Sequence, residues 1–342
     1  MNARLIFTLI KQKNILRDAN TTADDVIANN HSTKLFILLP CQVVSVICSL
    51  FVGINIIKRP AKFIKPIRNH FIIPLLITSF VQVTTELSMV ENYLHIGVVL
   101  PSTNSYCLFF NWYAFSLNGI NLFVMCWTSI ERHIIIFSQS VFQIRWKRIA
   151  FHYVPLSIAI LYTPTWYVAV IFIYNCVNDW NYYELLCTAP CFYENRILGI
   201  VDWLTNTIIP TVLIAVANIF LLIRVIYRST GIRHNAERAK RNKKMTIQLL
   251  AISSLFLVFR LPIAVTGLMQ QLFDVTFIID IQFNIFSYLI YFIQLLLPFV
   301  CLISLPELKK TIGKTIRRWI RRNAISDVRT LHVASIMPAM NQ

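Results

Sequence analysis

The sequence predicts an all-α membrane protein, a seven-transmembrane helix bundle with a short amphipathic helix after the seventh span. Three observations lead there. The chain is 56% hydrophobic and only 14% charged over 342 residues, too apolar for a soluble domain of that length. Seven stretches are apolar for about the 20 residues that a helix needs to cross a hydrocarbon layer about 30 Å thick. The basic residues gather on one side of those stretches, as they do in membrane proteins.

Taken in order, the predicted spans are 35–57, 71–90, 107–130, 151–173, 200–223, 245–269 and 281–305. An earlier apolar run, 5–10, is too short to cross and too weak for a signal peptide. The organisation expected is an extracellular N-terminal segment over 1–34 and a bundle over 35–305. A helix along the inner membrane surface follows over 306–322, then a flexible cytoplasmic tail over 323–342. In the surface helix Leu308, Ile312, Ile316, Trp319 and Ile320 recur at roughly helical spacing with lysines and arginines between them, a pattern suited to lying in the interface.

The formal net charge is +17. In a soluble protein that would suggest nucleic acid, but here its placement explains it. Loops 58–70 and 131–150 hold five and four Lys or Arg, 224–244 holds eight and the tail from Lys309 eight. The opposite side holds six, and Arg260 lies within a span. The basic side is therefore cytoplasmic and the N-terminus extracellular, which implies a multi-pass plasma-membrane protein embedded in a lipid bilayer and no nucleic-acid partner. Sequons at Asn20 and Asn30 are candidate glycosylation sites on the same outer side.

Cysteines sort by side as well. Cys41, Cys48, Cys126 and Cys301 fall within spans and read as small buried hydrophobes. Cys107, Cys176, Cys187 and Cys191 fall at the outer face, where disulfides persist, and spacing alone leaves their three pairings open. No Cys-x-x-Cys stands with histidines at zinc spacing, and neither His-x-x-x-His nor Gly-x-Ser-x-Gly occurs. No metal, cofactor or catalytic residue is expected, and the chain is not read as an enzyme. His70, His133 and His152 read as isolated interfacial residues.

Two further features carry the functional reading. The third span holds no charge from Cys107 until Glu131-Arg132-His133, which lies roughly 37 Å along the helix from that cysteine, at the inner boundary. A snorkelling boundary arginine is one account of that placement. Charges within spans are costly and need partners, and Glu86, Asp202 and Arg260 are such charges. One reading is a helix-to-helix salt bridge, Asp202–Arg260 or Glu86–Arg260. The other is a ligand pocket in which Arg260 meets an acidic group and the carboxylates meet a basic one. Asn118, Gln270 and Tyr291 would add polar contacts to that pocket, and Asn118 and Asn121 also suit interhelical hydrogen bonds. In the outer loops Trp180, Tyr182, Tyr183, Glu184, Phe192, Tyr193 and Glu194, with Asp274 and Asp280, form an aromatic and acidic rim that suits a peptide.

A cysteine opening the third of seven spans, with an acidic-Arg-aromatic triplet closing it 25 positions later, resembles the rhodopsin-like (class A) G-protein-coupled receptors. The resemblance runs over about 35–322 and marks a divergent member. It implies that Cys107 pairs with Cys187 or Cys191 of the second outer loop, leaving Cys176 and the remaining cysteine for a second bridge. It also implies that Glu131, Arg132 and His133 couple to a heterotrimeric G protein, with Pro210, Pro262 and Pro298 as helix hinges. Departures are specific. Leu297-Pro298-Phe299-Val300-Cys301 replaces the family's Asn-Pro-x-x-Tyr, Arg260 its Trp, Ser79 its sodium-site aspartate and Asn218 its helix-five tyrosine. Ala114 stands where amine receptors carry aspartate, and Tyr291 where retinal proteins carry lysine, which excludes both ligand types. The expected function is a receptor for an extracellular peptide. A chemosensory receptor for small molecules is the alternative, and a transporter is disfavoured by the odd span count.

Overall fold

A computed structural model of the chain describes residues 21–58, 60, 70–137, 144–229, 236–273 and 281–304. The expected surface helix, the tail, Asn20, Asp274 and Asp280 lie outside the described residues. Seven helices carry apolar segments of 20 to 32 residues, long enough to cross a membrane. They are α1 (Thr21–Lys58), α2 (Ile72–Ile96), α3 (Asn104–Phe137), α4 (Arg145–Ile173), α5 (196–229), α6 (Ala236–Phe273) and α7 (282–304). Among the described residues there is no strand.

Single capping groups set two of the helix ends. Gly97, at φ 81°, closes α2 and donates its N–H to the Tyr93 carbonyl, the left-handed stop that glycine adopts without a Cβ clash. Asn195 opens α5, its side chain accepting from the N–H groups of Ile197 and Leu198. The helix α1 begins at Thr21, well before the expected span, and carries Asn30 exposed on it. The helices α5 and α6 run on to Ser229 and back from Ala236, beyond the apolar segments.

Proline and wide turns shape the spans. Pro40, Pro164, Pro262 and Pro298 lie inside α1, α4, α6 and α7. Pro210 follows a π-helical turn at Leu204–Ile208. Its ring would clash with the carbonyl four residues back, and the wider turn makes room for it. Another π turn, Gln82–Glu86, lies within α2 and ends on the buried Glu86. The prolines' own carbonyls also take side-chain donors: the Thr266 hydroxyl donates to Pro262 O at 2.9 Å and Trp112 Nε1 donates to Pro164 O at 3.2 Å.

Neighbours follow chain order: α1 packs on α2 and α7, α5 on α6, and α6 on α7. The helix α3 touches α2, α4, α5 and α6 and is the most buried span. The main core lies around Leu75, Leu122, Met125, Ile214, Phe256 and Leu297. Outward, by contrast, large apolar side chains are bare: Phe36 is 79% exposed and Val258 65%, with Ile158, Leu161 and Ile219 similar. Water would make that belt unfavourable, whereas acyl chains cover it at no cost. The fold is that of a multi-pass membrane protein.

Small residues let the helices meet. A Cβ on Gly119 of α3 would stand 2.5 Å from Thr163 Cγ2 of α4, and one on Gly267 of α6 would run into the Trp203 indole of α5. Without a hydrophobic force between helices in lipid, such close approach supplies the packing.

Candidate functional site

The helix α3 joins two polar centres, one at each end of the bundle. At its outer end Cys107 is bonded to Cys187, and nearby Cys176 is bonded to Cys191. These pairings select one of the combinations that spacing left open. The first bridge draws the loop between α4 and α5 onto the bundle. Leu185, Leu186, Trp180 and Tyr182 pack against a core of Leu87, Tyr93, Phe110, Tyr288 and Tyr291. Leu186, Cys187 and Thr188 all have positive φ, at 60°, 56° and 78°, a conformation that costs non-glycine residues roughly 1–2 kcal/mol each. Fixed partners hold it: Asn111 Nδ2 donates to Leu186 O at 2.6 Å and Asn181 N to Cys187 O at 3.2 Å. Of the expected rim, Tyr183 and Glu194 are exposed, while Glu184 accepts from Asn181 and Thr188 and Phe192 is fully buried.

Below this lid the structure brings together three of the candidate residues. Glu86 is fully buried, and its Oε1 accepts from Tyr291 OH at 3.1 Å and from Asn118 Nδ2 at 3.4 Å. Its Oε2 has no partner. Asn121 lies apart from it and donates to Gln82 Oε1 at 2.9 Å, the interhelical role expected of it. Ser79 donates to Gln294 Oε1 across to α7.

Asp202 takes other company. Trp166 Nε1 and Asn206 Nδ2 donate to its Oδ1, each at 2.7 Å, and Tyr193 OH donates to Oδ2 at 2.7 Å. Burial, and then the nearby Asp202 charge, hold the Tyr193 phenol well above its usual range, so it remains a donor. Neither expected salt bridge to Arg260 forms among the described residues. The reason is rotation: Asp202 points at α4 and the outer loop, whose aromatic donors satisfy it. Trp166 and Tyr167 of α4 are partners that sequence reasoning missed, because an aromatic in an apolar stretch reads as packing until its N–H or O–H is placed.

Arg260 lies deep in the bundle with Tyr167, Tyr193 and Glu86 close enough to act on it electrostatically. It nonetheless keeps part of its surface open. Its Nε is sealed and without a partner, as is Nε2 of Gln270 farther out on α6.

At the inner end Glu131 and Arg132 are buried, at 4% and 5% exposure. That is not a snorkelling arginine. The Arg132 guanidinium lies over the Phe71 ring, 4.5 Å from its centroid, within cation–π range. His152 Nδ1 donates to Glu131 Oε1 at 2.5 Å, and His152 Nε2 lies 3.0 Å from His70 Nδ1. The carboxylate accepts from one ring nitrogen, and the second shares a hydrogen bond with His70. These two histidines are thus not isolated but form a chain tying α2 and α4 to the α3 triplet. His133 Nε2 donates to the Ala217 carbonyl of α5 at 2.8 Å.

No protein-family model matches the sequence, and no curated protein matches it. The fold is similar to a crystal structure of squid rhodopsin, with TM-score 0.67 and 14% sequence identity over 86% of this chain and 87% of that one. At that identity the likeness establishes the seven-helix fold.

Proposed function

We propose that the chain is a G-protein-coupled receptor of the plasma membrane, with its N-terminus outside, that passes the binding of an extracellular ligand to a heterotrimeric G protein. The observation that carries this reading is α3 itself. One continuous helix is fixed at its outer end by Cys107–Cys187 and carries toward its inner end the triplet Glu131-Arg132-His133, which touches the ends of α2, α4 and α5. A ligand that repacks the outer half of the bundle shifts the helices around α3, and the same rigid element presents the change at Arg132. That is a two-state element biased from one end and read at the other. The squid rhodopsin fold supports the reading, and the basic inner loops suit both anionic lipid and a partner.

The ligand is read as a peptide, because Tyr183 and Glu194 remain exposed on the loop between α4 and α5. Pro210, Pro262 and Pro298 are the hinges, and Glu131, Arg132 and His133 the coupling residues.

The test is guanine-nucleotide exchange on a panel of purified G proteins, with membranes carrying the wild-type chain or Arg132→Ala. Exchange above background, lost in Arg132→Ala, is the expected result. Exchange driven equally by both chains would remove the coupling role assigned to this triplet.

A further inference from the structure

The outer half of the bundle holds a cation with no contact partner among the described residues. Among the described residues no hydrogen bond or ion pair engages the Arg260 guanidinium, and its buried Nε has no partner. The acids near it, Glu86 with its unpartnered Oε2 included, make no ion pair with it among the described residues. Asp202 is bonded to Trp166, Asn206 and Tyr193, and Glu86 receives Tyr291 and Asn118 while standing beyond ion-pair distance from Arg260. Guanidinium stays charged in proteins, so burial does not discharge it, and an unpaired buried charge is strongly unfavourable. A guanidinium that keeps part of its surface open can be completed by a charge from outside the chain.

We propose that Arg260 is the anchor for a carboxylate of the ligand. The planar guanidinium fork matches a carboxylate's two oxygens. The carboxylates of Glu86 and Asp202 stand nearby, so a singly charged group meets less repulsion than the double charge of a phosphate. Tyr167 of α4 and Tyr193 of the outer loop have phenols near both Asp202 and Arg260. The inference rests on the receptor reading for the ligand's route from outside, and it names the chemistry at the base of that route. A peptide C-terminus and a small organic acid share this chemistry.

The experiment measures thermal unfolding of the purified full chain in lipid nanodiscs at constant ionic strength. Benzoate and propionate are titrated against benzamide and propionamide, and a hexapeptide mixture with free C-termini against the same mixture amidated. Ligands that bind only the folded state raise the melting temperature in a saturable way. A saturable rise with carboxylates and not with their amides is expected. Its apparent affinity should fall by roughly thirtyfold or more in Arg260→Gln, the effect of removing one partner of a buried charge pair. A response only to the small acids, or only to the free-ended peptides, supports the proposal and identifies the source. No difference between any acid and its amide in the wild-type chain overturns it without recourse to a variant, and so does an equal response in wild type and Arg260→Gln. Nucleotide exchange on the same samples separates the two readings. Arg260-dependent stabilisation with no exchange on any G protein would leave the anion site standing and remove the receptor. Exchange with no Arg260-dependent stabilisation would do the reverse.

Discussion

Arg260 and Asp202 are both buried charges in spans, yet their surroundings assign them opposite roles. Asp202 collects strong donors, so Asp202→Asn replaces an acceptor oxygen by an NH2 that faces other donors. The expected cost is about 1–3 kcal/mol per donor left unsatisfied, seen as a clear fall in melting temperature. Arg260 has no partner to lose. In the ligand-free protein, Arg260→Met is expected to leave the melting temperature unchanged or raise it, whereas breaking a buried salt bridge would lower stability by roughly 3–5 kcal/mol. Thermal unfolding of the two variants side by side checks both. That these residues matter was legible in the sequence, because a charge inside an apolar run is visible without a structure. Their partners were not, because partnership depends on how each helix is rotated about its axis. The same holds for His70 and His152, which lie 82 positions apart in sequence and meet only when α2 and α4 pack at the inner end of α3.

At the scale of the helix, the apolar runs located all seven spans, since hydropathy is set by composition over many residues. The ends and the wide turns were not readable. Helix ends depend on single caps such as Gly97 and Asn195, and the π turns arise where a helix yields to a proline or a neighbour. Close approach is likewise a property of pairs of helices. Gly267 faces the Trp203 indole of α5, whose Nε1 donates to Ala264 O at 3.2 Å. Gly53 of α1, by contrast, has open space where its Cβ would be. Gly267→Ala should therefore cost about 1–3 kcal/mol by overpacking, while Gly53→Ala should stabilise by roughly 0.5–1 kcal/mol through helix propensity. Melting temperatures that move in the same direction for both would contradict the packing described between α5 and α6. The outer bridge acts at this scale too. Cys107→Ala releases the loop that covers Tyr288 and Tyr291, and loss of surface expression or ligand response is the expected outcome, read by surface labelling and by exchange.

For the molecule as a whole, everything functional hangs on which face is outside, and the sequence speaks to that through charge alone. Loops 58–70, 131–150 and 224–244 and the tail carry most of the lysine and arginine, and no packing contact distinguishes the two faces as strongly. The disulfides agree, because both lie at the face opposite those loops, where an oxidising compartment would form them. An epitope fused to the N-terminus should therefore be stained on intact cells, and one fused to the C-terminus only after permeabilisation. The reverse pattern would place Glu131, Arg132 and His133 outside the cell and put the G-protein reading out of reach. Arg260 would then lie toward the cytoplasm, with its chemistry unchanged, and its carboxylate would be a cytosolic one. Topology thus decides what the two ends of α3 are for, while the geometry at each end decides what they can bind.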